Sequence, residues 1–94
     1  MARVTRTIKG SNQFTDPVKL SGYFNVSISG TWVGTITVQR SWNLGDTWLD
    51  VDTWTANTEE YGLEPEHTNV VLYRIGTKAD ANFAGTSAIL RLSQ

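Results

Sequence analysis

Few residues in this sequence could do chemistry, and their spacing does not assemble an active site. The single histidine, His67, lies in a polar loop, and no serine or threonine stands in the elbow context of a nucleophile. The chain has no cysteine, which excludes disulfides, thiolate nucleophiles and cysteine-based zinc sites. Asp50 and Asp52 alternate as Ca²⁺ ligands can, but the Asp-x-Asp-x-Asp-Gly loop is missing. We therefore expect no catalytic residue, no metal, no cofactor and no enzymatic activity.

The most specific local pattern is the octet SWNLGDTW at residues 41–48. It resembles the Asp-box hairpin, Ser-x-Asp-x-Gly-x-Thr-Trp, with an asparagine at the Asp position. The matching residues are Ser41, Asn43, Gly45, Thr47 and Trp48. Asn43 can accept backbone N–H bonds across a turn, and Gly45 can supply a positive φ. The motif predicts a stabilised turn covered by a tryptophan. It does not predict sialidase activity, because a catalytic propeller is several times longer.

Opposite charges occupy different parts of the chain. Residues 1–45 carry five basic side chains and one acidic, residues 46–73 carry seven acidic and no Lys or Arg, and residues 74–94 are net basic. The acidic stretch is either a solvated edge or a surface for a basic partner, such as the N-terminal segment of another copy. A nucleic-acid-binding surface is basic and carries interleaved aromatic side chains. Here the aromatic residues lie mostly in or beside the acidic stretch, so no nucleic-acid partner is expected. The candidate interface residues are Arg3, Arg6, Lys9, Asp50, Asp52, Trp54, Glu59, Glu60, Glu64 and Glu66.

The elements that position these residues are predicted to be strands. Apolar and polar residues alternate with a period of two, and Thr, Val, Ile and aromatic residues are frequent. The predicted strands cover residues 4–9, 23–29, 31–40, 48–55, 69–77 and 87–93. Ser29-Gly30 is a turn signal, so residues 23–40 are predicted to form a hairpin.

The predicted fold is all-β, a single antiparallel β-sandwich of six to eight short strands in immunoglobulin-like or jelly-roll style. A small barrel is the alternative. The chain of 94 residues is long enough for one domain. Residues 1–13 are expected to form an extended arm or an edge strand, and residues 14–94 the sandwich. Neither a membrane-spanning run nor a signal peptide is visible, so no membrane partner and no signal-directed secretion are expected.

Several segments together resemble a family of small β-proteins of tailed bacteriophages. They are residues 24–41 (FNVSISGTWVGTITVQRS), 47–51 (TWLDV), 64–66 (EPE), 73–76 (YRIG) and 90–94 (LRLSQ). The family is mostly virion-associated. The resemblance implies a particle component that is made in the cytoplasm of the bacterial host and located in the virion.

Within the virion, we expect a capsid decoration or cement protein that binds and stabilises the outer shell. Its partner would be the major capsid protein or another virion protein, and it would be a homo-oligomer, with a trimer favoured. Two alternatives stay open. One is a tail, head–tail junction or fibre component. The other is a carbohydrate-binding module that uses Trp42 and Trp54 as a sugar platform.

Overall fold

The computed structural model describes residues 2–65 and 70–94, which form nine β-strands and no helix. None of these residues lies in a helix long and apolar enough to cross a membrane. The strands are β1 (Arg3–Ile8), β2 (Gln13–Phe14), β3 (Val18–Lys19), β4 (Gly22–Val33), β5 (Ile36–Ser41), β6 (Leu49–Trp54), β7 (Thr58–Glu64), β8 (Leu72–Thr77) and β9 (Ala84–Ser93).

The strands form two antiparallel sheets packed face to face. Sheet A has the order β1-β9-β4-β7. Sheet B has the order β2-β8-β5-β6, with β3 paired to β8 on the same side as β2. Both sheets have free edges, so the predicted β-sandwich is confirmed and the barrel is not formed.

The core lies between the sheets, and period-two alternation supplies it. In β4, the side chains of Phe24, Val26 and Ile28 are buried while their neighbours point to solvent. The other strands contribute the buried residues Ile8, Ile36, Val38, Tyr73, Ile75, Ala88, Leu90 and Leu92. Full burial of each large apolar side chain contributes roughly 1.5–3 kcal/mol, which offsets the conformational entropy lost on folding.

The predicted hairpin over residues 23–40 is wrong. β4 continues through Ser29-Gly30 as far as Val33 and pairs with β7 and β9, whereas β5 belongs to sheet B. Gly30 has a φ of 110°, and a Cβ built there would lie 2.4 Å from the backbone oxygen of Ser87. The glycine therefore permits a close approach of β4 and β9 beside a register shift, and it does not make a turn.

The chain crosses between the sheets at Gly34 and Thr35. Gly34 has a φ of 133°, and a Cβ there would lie 2.9 Å from the Cα of Phe83. A residue with a Cβ would be strained at this positive φ and would clash with Phe83, so glycine permits the crossing between the sheets.

Two further strands, β1 and β7, add to or differ from the sequence prediction. The first segment is an edge strand, because β1 pairs with β9 over its whole length, and residue 13 lies inside β2. A whole strand, β7, was missed, since the run of glutamates and a glycine at residues 59–62 has low strand propensity.

Replacing Gly30 by alanine should destabilise the fold. The new methyl group meets backbone and not a flexible side chain, and the residue would keep a strained positive φ. We expect the free energy of unfolding to fall by roughly 1–3 kcal/mol. Urea unfolding followed by tryptophan fluorescence measures it. Gly10→Ala is the matched control, because its Cβ would meet nothing closer than 3.8 Å. Equal urea midpoints for the two variants would contradict the close approach.

Candidate functional site

The Asp-box-like loop is a turn held by its own side chains. The Asn43 Oδ1 accepts the backbone N–H of Thr47 at 2.9 Å, and the Ser41 Oγ accepts that of Gly45 at 2.8 Å. Leu44 and Gly45 both have positive φ, and the Trp48 ring covers the turn beside Gly45. The loop joins β5 to β6, so its hydrogen bonds stabilise a hairpin of sheet B.

Trp42 and Trp54 do not share one surface. Trp42 follows the end of β5, whereas Trp54 pairs with Ile36 at the other end of the same hairpin. Six residues of strand separate the two ends, which is roughly 20 Å. Trp54 also packs partly buried against the core, and its indole N–H donates to Glu60. A sugar platform made of both tryptophans is therefore not formed.

The charged candidates lie on two opposite sides of the sandwich. The basic side consists of Arg3, Arg6, Lys9 and Lys19, on or beside β1 and β3, together with one acid, Asp16. The acidic side consists of Asp50, Asp52, Glu59 and Glu60, on β6 and β7, together with one base, Lys78, which forms an ion pair with Asp50. These four basic residues, Asp16 and the four acidic residues are all exposed. Arg6 reaches across to the carbonyl of Phe14, which ties β1 to β2 on the basic side.

Glu64 is also a predicted interface residue, but its side chain is fully buried and cannot belong to an exposed acidic surface. Its carboxylate forms an ion pair with Arg40, with one oxygen 2.9 Å from the Nη2. The Tyr73 hydroxyl donates to the other oxygen at 2.9 Å. Glu64 belongs to sheet A, and both partners belong to sheet B. Glu66, the remaining acidic candidate, and His67 lie outside the described residues.

The buried pair shifts the titration of both partners. The hydrogen bond to Glu64 raises the pKa of Arg40 above its ordinary value. Burial, and then the hydrogen bond to the Glu64 carboxylate, raise the pKa of Tyr73 well above its ordinary value of 10.0. Arg40 therefore stays charged and Tyr73 stays neutral over the physiological range.

A second network lies on the outer face of sheet B. The Arg74 guanidinium lies between two aromatic rings, 4.1 Å from the centroid of Phe14 and 4.3 Å from that of Trp48. Its Nε donates to Gln39, which in turn donates to Asp50. Hydrogen bonds from Lys78 and then Gln39 lower the pKa of Asp50. These contacts link four strands, so we assign this network to stability.

The outer face of sheet A carries exposed aromatic and apolar side chains that none of the nine described strands covers. Tyr23 on β4 lies opposite Leu63 on β7, and Tyr61 is the next outward residue along β7. They are 68%, 52% and 73% exposed, and the two tyrosine rings meet edge to face with centroids 5.8 Å apart. We call Tyr23, Tyr61 and Leu63 the aromatic patch.

A shallow hollow of about 380 Å³ adjoins the aromatic patch. It is lined by Asn25, Val26, Glu59, Glu60, Tyr61, Arg91 and Ser93. The hollow therefore places an exposed ring beside an amide, carboxylates and a guanidinium. Exposed apolar surface rimmed by such groups is typical of binding sites, and Tyr and Arg are enriched among the residues that dominate binding energy.

Sequence reasoning did not identify the aromatic patch. Tyr61 and Leu63 lie on β7, which the sequence pattern does not predict, and the predicted hairpin places Tyr23 at its end. The signal was present, since Glu59, Tyr61 and Leu63 alternate with a period of two.

Within residues 2–65 and 70–94, no three His, Asp or Glu side chains are grouped closely enough to hold a metal ion. Comparisons of the chain with protein-family models, with curated proteins and with solved structures found no match.

Replacing Glu64 by glutamine should destabilise the fold more than the same change at an exposed site. The amide keeps the shape of the side chain but leaves the Arg40 charge without its counter-ion. Because Arg40 is itself 30% exposed, we expect a loss of about 2 kcal/mol, below the usual cost for a fully buried pair. Urea unfolding measures the loss, with Glu59→Gln on the same strand as the control. A midpoint for Glu64→Gln equal to that of Glu59→Gln would show that the pair has no such role.

The raised pKa of Tyr73 makes stability fall at alkaline pH. The unfolded chain loses this proton near the ordinary pKa of 10.0, while the folded protein retains it. Stability from this group is therefore complete below that pH and declines above it, by up to about 1.4 kcal/mol per pH unit. Urea unfolding between about pH 8 and about pH 11 measures the slope. Tyr73→Phe should lack this contribution, and parallel declines in both proteins would refute it.

Proposed function

We propose that this chain is a non-enzymatic structural protein of a tailed-bacteriophage particle, a decoration protein that binds the outer capsid through sheet A. The single observation that carries the binding surface is the aromatic patch. The assignment to a phage particle rests on the sequence resemblance of five segments between residues 24 and 94 to small β-proteins of tailed bacteriophages.

The aromatic patch supports protein binding because of its size, place and surroundings. Two tyrosines and a leucine lie side by side on a β-sheet, and their backbone is held by the pairing of β4 with β7. The carbonyl of Tyr23 also accepts a hydrogen bond from the Gln94 side chain. Tyrosine has few rotatable bonds, so little conformational entropy is lost when a partner covers it. Glu59 and Arg91 beside the patch can fix the orientation of a protein partner.

The shape of the protein supports attachment to a shell. The sandwich measures 40 × 25 × 17 Å, so sheet A offers a broad face for its mass. A symmetric shell presents the same surface many times. If neighbouring copies contact one another, modest affinity per copy becomes strong binding to the particle.

A carbohydrate-binding function is the second candidate, and one observation favours it. The exposed Tyr61 ring stands beside Asn25 and Arg91 in the hollow, and a sugar ring can stack on an aromatic ring while its hydroxyls bond to such groups. This site replaces the Trp42 and Trp54 platform considered from the sequence.

The aromatic patch should control occupancy on the particle. We expect Tyr61→Ala to lower binding to phage shells that lack this protein by about tenfold or more, the loss typical of a central aromatic contact. Val33→Ala is the matched control, because Val33 is as exposed as Tyr23 but lies at the far end of β4. Co-sedimentation of purified protein with the shells measures binding.

The copy number in purified virions then tests the place in the particle. Quantitative mass spectrometry against the major capsid protein should give a ratio near one or a simple fraction of it. A few copies per particle would refute decoration and indicate the tail or the head–tail junction. Absence from virions, with retardation in polysaccharide gels that Tyr61→Ala abolishes, would overturn the virion proposal in favour of carbohydrate binding.

A further inference from the structure

The two edges of sheet A run in opposite directions. The sheet has four strands, and each is antiparallel to its neighbour, so β1 at one edge is antiparallel to β7 at the other. When a second copy is placed beside the first in the same orientation, its β1 lies antiparallel to β7 of the first copy. Antiparallel hydrogen bonding can therefore continue from one copy to the next.

These two edges are the ones suited to pairing. β1 has six residues and β7 has seven, and neither shows a register shift against its partner strand. The edges of sheet B are interrupted. β2 and β3 have two residues each and are separated by a segment that contains Pro17, and the pairing of β6 shifts register at Val38 and Gln39. Short strands, proline and bulges prevent edge pairing.

Charge selects which edges meet. β1 lies on the basic side with Arg3, Arg6 and Lys9, and β7 lies on the acidic side with Glu59 and Glu60. Two β1 edges or two β7 edges would place like charges together, which is unfavourable. A β1 edge beside a β7 edge places opposite charges together, which attracts and aligns the copies.

We infer that copies of this chain assemble edge to edge, with β1 of one copy paired antiparallel to β7 of the next. The contact is head to tail, so it closes into a ring or continues as a chain, and it does not form a two-fold dimer. In this side-by-side arrangement, the aromatic patches of successive copies lie on the same face of the assembly. This inference goes beyond the proposed function, because it holds whatever surface the patches bind.

Cross-linking between single-cysteine variants tests the pairing. The chain has no cysteine, so Thr5→Cys on β1 and Tyr61→Cys on β7 each introduce one thiol, and both side chains are exposed. With a flexible bis-maleimide, a mixture of the two variants should give at least about fivefold more cross-linked dimer than either variant alone. The yield should fall between about 0.05 M and 1 M salt, since exposed charges are screened.

Charge reversal supplies the matched control. Glu59→Lys with Glu60→Lys, added to the β7 variant, should abolish the cross-link with the β1 variant. Arg3→Glu with Lys9→Glu, added to the β1 variant, should restore it. Circular dichroism verifies that each variant is folded.

Three results would overturn the inference: a mixture that cross-links no better than its components, efficient cross-linking of Thr5→Cys with itself, or charge reversal without effect. All of these measurements are made without phage particles. Failure of shell binding with edge pairing intact would therefore refute the proposed function alone, and the converse would refute only the pairing.

Discussion

The relative position of the two sheets depends on one buried carboxylate. Glu64 ends β7 in sheet A, but Arg40 and Tyr73, which pair with it, lie on β5 and β8 of sheet B. Removing a carboxylate from water costs several kcal/mol, and the cost is recovered only where these partners are within reach. Apolar side chains of similar size can pack in more than one arrangement, whereas this carboxylate is satisfied in one. The pair therefore favours the alignment in which Glu64 of sheet A lies opposite Arg40 and Tyr73 of sheet B.

That alignment places the basic residues around β1 and the acidic residues of β6 and β7 on opposite sides of the sandwich. Apart from the buried Glu64 pair, the core between the sheets is mainly apolar, and the outer face of sheet B is occupied by the network around Arg74. The first strand lies at one edge, and the consecutive strands β6 and β7 lie at the other edges of the two sheets. Because of this strand order, a separation of charge along the chain becomes a separation of charge in space. The outer face of sheet A is left for the aromatic patch.

Most of the fold could be predicted from local patterns, and the failures have specific causes. Alternation located six of the nine strands and, with the turn residues, gave the correct class. Gly30 was misread because a turn and a close strand approach both require a residue without a Cβ, and only the position of Ser87 distinguishes them. β7 was missed because its pairing with β4 overrides the low strand propensity of its own residues.

The sequence by itself determined the alternation, the turn chemistry of the Asn43 loop and the order of charges along the chain, since each depends on neighbouring residues. The tertiary structure decided which glutamate is buried and which face is aromatic. Glu59, Glu60 and Glu64 belong to one acidic run, and only Glu64 lies opposite Arg40. Tyr23 and Tyr61 are far apart in the chain and meet only through the register of β4 with β7. Such contacts join residues whose local patterns carry no information about each other.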